Sequence, residues 1–423
     1  MLLQLTVRRA RETVPPPAIR CLHATGQTEL SRTAGRTQDA VHGSPLPGTP
    51  PRRSTTVSTL IPDAGIITAA NFPGDSPGDR THGLGATLEL ISAAEDLGFN
   101  SAGIRQRQLE HGSSSALTVL AAAGQRTSRI RLETSVIPLG FEVPFRLAED
   151  VSTVDALSGG RLTVGVSTSS PHSDLLGDLN RPDFDPQTDP YELLDRFLTA
   201  LRSENLADDP LPTPYGATHE PAVHPRIADA LSRVWLGVGS ERSVDRAAAR
   251  GLGIFLGNII PVPLPGKGAE DGSDAPTDAT FTTAQRATVD RYRAAFTPSS
   301  PDGPGPRVAV ERVIVPLDSA TPQQRERHLR FAASREDRTR RVQSRPGQDA
   351  GVLFQRDLVG DASEIVERLR ADPVFDGSTG LRVALPYALD IDDYLQIITD
   401  IRTLILPELG WSPAPEQQES VPV

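Results

Sequence analysis

From Gly65 to Leu406 the chain alternates two apolar patterns, and few folds accommodate that alternation. Short apolar runs of strand length are each followed by a stretch with helical spacing. Gly65–Ala70 is the first run. Leu84, Leu88, Ile91, Ala94 and Leu97 then share one helix face, with Gly98 placed to end it. Ser101–Arg105, Ile130–Ile137, Leu162–Ser167, Val234–Val238, Gly253–Leu256, Val308–Leu317 and Leu381–Leu385 are the remaining strand candidates. Between and after them, Ala116–Ala123, Pro144–Leu157, Tyr191–Leu201, Glu241–Arg250, Phe281–Phe296, Gln323–Arg340, Ser363–Leu369 and Tyr394–Leu406 read as helices. This alternation predicts a (β/α)8 TIM barrel with loop insertions. A doubly wound open sheet is the alternative, and it needs a topological switch point that the pattern does not show.

The two ends read differently. Residues 1–57 carry eight arginines against Glu12, Glu29 and Asp39, and Pro15-Pro16-Pro17 and Pro50-Pro51 interrupt any periodicity. This predicts a disordered basic extension, with an Arg-rich transit peptide as the other reading. Residues 412–423 predict a short disordered tail, leaving the barrel to residues 58–411. Pro261–Asp278 is polar and rich in Gly and Pro, as expected of an inserted loop. The net charge of −11 argues against a nucleic-acid partner, and no apolar run is long enough to span a membrane. A single cysteine, Cys21, excludes a disulfide framework and a Cys-based metal site, and no His/carboxylate cluster has metal-ligand spacing.

Chemistry in such a barrel belongs at the C-terminal ends of its strands. Gly237-Val238-Gly239-Ser240 ends one strand and opens a helix. Its small residues let backbone N–H groups approach a phosphate, Ser240 and Ser243 add hydroxyls, and Arg242 adds a charge. By spacing alone the same residues serve equally as a tight turn capped by Ser240. Ser135, Ser167 and Thr168 stand at two other strand ends, where they either line a site or satisfy loop backbone. Arg107, His111 and His172 lie in loops after the second and fourth strands. Glu149 and Asp155 are read as structural, paired with Arg146 or Arg161.

Five stretches resemble the luciferase-like monooxygenase family. They are Ala93-Ala94-Glu95-Asp96-Leu97-Gly98-Phe99-Asn100, Ala121 through Gln125–Leu132 to Leu139, Pro144–Asp150 continuing to Val166, Trp235–Ser240 with Ala247-Ala248, and Leu358–Asp361 with Glu364–Leu369. Their order and spacing cover about Ile61 to Leu409. The resemblance implies a flavin at the barrel mouth with its phosphate at Gly237, Gly239, Ser240, Arg242 and Ser243. It also implies that the ring and ribityl chain lie near Ser135, Ser167 and Thr168. The expected function is a cytoplasmic FMN-dependent monooxygenase, in which reduced FMN and O2 act on a small organic substrate. A homodimer served by a separate flavin reductase is expected with it. An F420-dependent dehydrogenase or reductase is the alternative, and a non-catalytic flavin-binding barrel the second. The chain departs from the family pattern at the end of the second strand. Many relatives carry a Glu-His-His-Phe run there; this chain has Gln106-Arg107-Gln108-Leu109. Arg107 does not lose its proton near neutral pH, so its expected role is to stabilise an anion, on reduced flavin or a substrate carboxylate. His111 and His172 are the expected titrating groups.

Overall fold

The computed structural model describes residues 59–70, 83–180, 185, 188–263, 278–339, 342–344 and 350–413. The expected 1–57 extension, most of the 412–423 tail and most of the 261–278 loop lie outside them. Eight strands form a closed parallel barrel: β1 (Ala64–Thr68), β2 (Ser101–Ile104), β3 (Arg131–Pro138), β4 (Leu162–Ser167), β5 (Val234–Val238), β6 (Gly253–Leu256), β7 (Val308–Pro316) and β8 (Thr379–Ala384). Each pairs with the next in sequence. β8 returns to β1 with Leu381 opposite Ala64, which closes the barrel and leaves no open sheet edge.

The helices between strands are α1 (Leu84–Asp96), α2 (Ala116–Gly124), α3 (Pro144–Leu157), α4 (Pro190–Leu201), α5 (Glu241–Ala248), α6 (Asp278–Ala295) and α7 (Ala362–Ala371), with α8 (Ile391–Asp400) after β8. Gly98 takes the left-handed conformation expected of a helix stop, with φ +82°. The buried face of α1 is Thr87, Leu90, Ile91 and Ala94. Leu84 and Leu88 of the expected stripe lie at or outside its edge, with Leu84 exposed. Pro190 at the first position of α4 and Asp189, which accepts from the Tyr191 N–H at 3.2 Å, show why that helix starts where it does.

Two additions go beyond the alternating pattern. Ile259–Pro263, which runs into the start of the stretch expected to be a loop, pairs antiparallel with Ala350–Phe354, with Phe354 opposite Ile259. Gln343–Ser344 extends this small sheet. The helix read at Gln323–Arg340 is present as Pro322–Thr339, inserted between β7 and α7, and Leu358–Gly360 adds a strand to β7. A two-residue hairpin strand has too little periodicity to be read, and the alternating run at 259–263 is broken by two prolines.

The residues that carried the family resemblance mostly stitch the base of the barrel. Glu95 accepts the backbone N–H groups of Ser128, Arg129 and Ile130 at 2.7–3.0 Å, tying the end of α1 to the start of β3. Burial raises its pKa, but those donors outweigh burial and hold it below the usual carboxylate value. Arg161 donates to the carbonyls of Gly124, Thr127, Ile130 and Ser158. Asp155 therefore pairs with Arg233, at 2.6 Å, and not with Arg161. Glu149 does pair with Arg146. Inside the barrel Arg382 of β8 reaches Glu133 of β3 at 2.7 and 2.9 Å. Both are buried; Arg382 also reaches Asp63 at 3.1 Å, so it is removal of Arg382 that would leave Glu133 a desolvated charge, at a cost of about 3–5 kcal/mol.

Candidate functional site

Strain collects at the C-terminal face. Ala70, Leu109, His172 and Ala388 are non-glycine residues at positive φ, between 55° and 61°, and they lie in the loops after β1, β2, β4 and β8. Each such conformation costs about 1–3 kcal/mol.

Beneath those loops β2 runs out into Arg105 and Arg107. The Arg105 guanidinium donates to Glu311 of β7 at 2.5 Å and to the Tyr387 hydroxyl at 3.3 Å. Arg107 donates to the same hydroxyl at 3.1 Å. Tyr387 thus accepts from two cations. Burial pushes its phenol up, but Arg105 and Arg107 prevail and hold it below the usual tyrosine value. Glu311 is buried, and its second oxygen, Oε1, has no partner.

A cavity of about 530 Å³ opens from this cluster across the mouth to β5. Arg105, Arg107 and Glu311 form one wall, and Ser135, Val136, Ser167 and Thr168 the floor. Gly237, Gly239, Ser240 and Ser243 form the far end, and Ile259–Pro261 with Gly351 and Val352 cover it. The pairing of β3 with β4 shifts register between Thr134 and Ile137, a bulge that accompanies the turn of Val136 toward the cavity. At the far end Ser240 caps α5. Its hydroxyl accepts from the Ser243 N–H at 3.2 Å, and the Ser243 hydroxyl accepts from the Gly239 and Ser240 N–H groups at 3.1 and 3.0 Å. The capping role is therefore real. The space beside it is too: a Cβ built on Gly239 would meet no atom within 4 Å. A helix N-terminus and a cradle that a side chain would fill suit the phosphate end of FMN or F420.

Residues 64–267 match the family model described as luciferase-like monooxygenase. Those residues form a luciferase-like monooxygenase domain. A Mycobacterium tuberculosis protein named as a coenzyme F420-dependent oxidoreductase is 43% identical over 83 residues, 20% of this chain and 23% of that protein. The 4-hydroxyprotoasukamycin monooxygenase of Streptomyces nodosus subsp. asukaensis is 34% identical over 108 residues, 24% of this chain and 27% of that enzyme. The matches thus span about a quarter of those relatives. The oxygenating constituent of 3,6-diketocamphane monooxygenase from Pseudomonas putida, solved with FMN, shares the fold at TM-score 0.51 and 13% identity, over 82% of this chain and 98% of that one.

Within this luciferase-like barrel the residues singled out from sequence separate into two groups. Arg107, Ser135, Ser167, Thr168, Gly237, Gly239, Ser240 and Ser243 all line the one cavity. Arg242 does not: it is drawn to Asp189 at 2.6 Å and lies 4.8 Å from the Tyr191 ring centroid. His172 stands at the rim with Nε2 3.7 Å from Glu110, which in turn is 3.5 Å from Arg107. His111 is exposed. Arg105, Glu311 and Tyr387 were not found from sequence. Glu311 had a signal, an acid inside the apolar run Val308–Leu317, where a strand buried on both faces rarely carries a charge without a task. Tyr387 had none, since only the closing of β8 onto β1 brings it to β2.

Among the described residues no helix is long and apolar enough to cross a membrane, and no group of three His, Cys, Asp or Glu could hold a metal ion.

Proposed function

We propose that this protein is a flavin-dependent oxidoreductase, a luciferase-like monooxygenase that uses reduced FMN and O2 on a small organic substrate. One observation carries the reading: a single cavity joins an open glycine–serine cradle at the head of α5 to a pair of partly buried cations at the end of β2. The cradle binds the phosphate. Ser135, Ser167 and Thr168 are placed to hydrogen-bond the polar chain between phosphate and ring. FMN, when bound, supplies the redox chemistry, and the protein supplies orientation, a covered site and charge. Arg105 and Arg107 stabilise negative charge that develops at the mouth. Tyr387, acidified between them, holds or releases a proton there in place of the missing histidine. The sheet of Ile259–Pro263 and Ala350–Phe354 limits water at the reacting end.

The relative named as F420-dependent favours a second reading, hydride transfer on F420 without oxygen. One experiment separates them. The full chain is reconstituted with FMN or F420 and assayed for reductase-coupled oxygen uptake across a substrate panel. Substrate-dependent uptake with FMN supports the monooxygenase. F420 reduction by an alcohol or similar donor, with no oxygen uptake, supports the second reading. Neither activity would remove the enzymatic reading.

A further inference from the structure

A second lobe of about 330 Å³ opens on the other side of the Arg105–Glu311 pair, toward β1, β7 and β8. Its apolar surface includes Ile67, Val313 and Leu385, and the rings of Phe331, from the inserted helix, and Phe354. Four arginines line it, and two have their charge answered. Arg105 is paired with Glu311, and Arg335 with Asp357 through both carboxylate oxygens, one of them at 2.9 Å.

Two remain. Arg338 has no carboxylate partner among the described residues, and its buried Nε has no acceptor. Its guanidinium lies against the Phe354 ring, 4.4 Å from the centroid. Arg107 meets a carboxylate only at Glu110, 3.5 Å away and partly exposed, and its Nε is also buried without an acceptor. A guanidinium cannot shed its proton to escape this, so a counter-charge from outside the protein would relieve both. A lobe whose mostly polar lining includes an apolar side, with Arg338 lacking a carboxylate and Arg107 meeting one only at its exposed edge, fits an apolar body bearing an anionic group.

Resting on the flavin reading of the adjoining cavity, we propose that this lobe is the substrate pocket and that the substrate is an organic acid. Its apolar ring or chain packs on Phe331, Val313 and Leu385, and its carboxylate or equivalent anion is taken by Arg338, with Arg107 at the join of the lobes.

The test is binding, measured apart from turnover. The full chain is titrated by calorimetry with 1-naphthoate and with its neutral isostere 1-naphthamide, and separately with FMN. The acid should bind at least tenfold more tightly than the amide, about 1.4 kcal/mol. Arg338→Gln should erase that preference, Arg338→Lys should keep part of it, and neither variant should change FMN affinity. Equal binding of acid and amide, binding of neither, or a preference that survives Arg338→Gln would overturn the proposal. Failure of FMN to bind while the acid preference persists would instead overturn the flavin reading and leave an anion-binding lobe.

Discussion

Arg107 donates a hydrogen bond to the Tyr387 hydroxyl at 3.1 Å, joining the end of β2 to the loop after β8. The two residues are 280 positions apart, and Arg105 reaches the same oxygen at 3.3 Å. Where many relatives place a histidine, this chain has a fixed cation and, beside it, a phenol made more acidic.

Arg107→Gln removes the charge and keeps a donor of shorter reach. Turnover should fall by about 10²–10³, the loss seen when one preorganised donor is removed. FMN affinity should change little, because the phosphate cradle is on β5. Arg107→His should not restore the rate, since a mostly neutral imidazole cannot replace a fixed cation near neutral pH. Steady-state kinetics beside flavin titration checks all three.

Tyr387→Phe should slow turnover and alter its pH dependence. The phenol ionises below its usual value of 10.0, so the wild-type profile should contain a limb on the acid side of pH 10 that the variant lacks. If that limb persists in Tyr387→Phe and disappears in His172→Ala, the titrating group is at the rim and not at Tyr387.

Gly239→Val should leave the fold intact while cofactor retention is lost. The backbone there needs no glycine conformation, and the Cβ position is empty of protein atoms, so the folded chain accommodates the side chain at little cost. A phosphate in the same space would not. Unchanged thermal unfolding together with lost FMN binding is the expected pair of results.

His328, on the inserted helix, is fully buried, with neither ring nitrogen hydrogen-bonded. Burial pushes its pKa below the usual 6.5. Asp393, 3.7 Å away, and Asp400 oppose the shift, and Arg327 adds to it. The unfolded chain takes up this proton near pH 6.5 while the folded chain resists it. The unfolded state therefore binds more protons below that pH, and stability falls as pH drops through the window beneath about 6.5. Denaturant midpoints across pH 5–7.5 should show a shallower slope in His328→Leu than in the wild type.

The barrel was legible because its cause is local. Runs such as Leu162–Ser167 and Val234–Val238 are strands in the structure with the same bounds the pattern gives them. The β5–α5 turn was legible as a strand-to-helix turn for the same reason, and Ser240 caps the helix as the spacing allows. Orientation was not. Arg242 follows the turn directly, yet the carboxylate of Asp189 and the Tyr191 ring draw it away, and both come from the start of α4. Arg338 and Tyr387 sit on segments that carry no motif. Their chemistry arises only where the insertion after β7 and the loop after β8 converge on the barrel mouth.

The central claim is that the mouth of this barrel holds a flavin-type cofactor by its phosphate at Gly237–Ser243. Fluorescence titration of the full chain with FMN and with riboflavin, which lacks the phosphate, tests it most directly. The account predicts that FMN binds more tightly than riboflavin by a factor of ten or more, and that Gly239→Val abolishes the difference. Equal affinity for the two, or a preference unchanged in Gly239→Val, would contradict it.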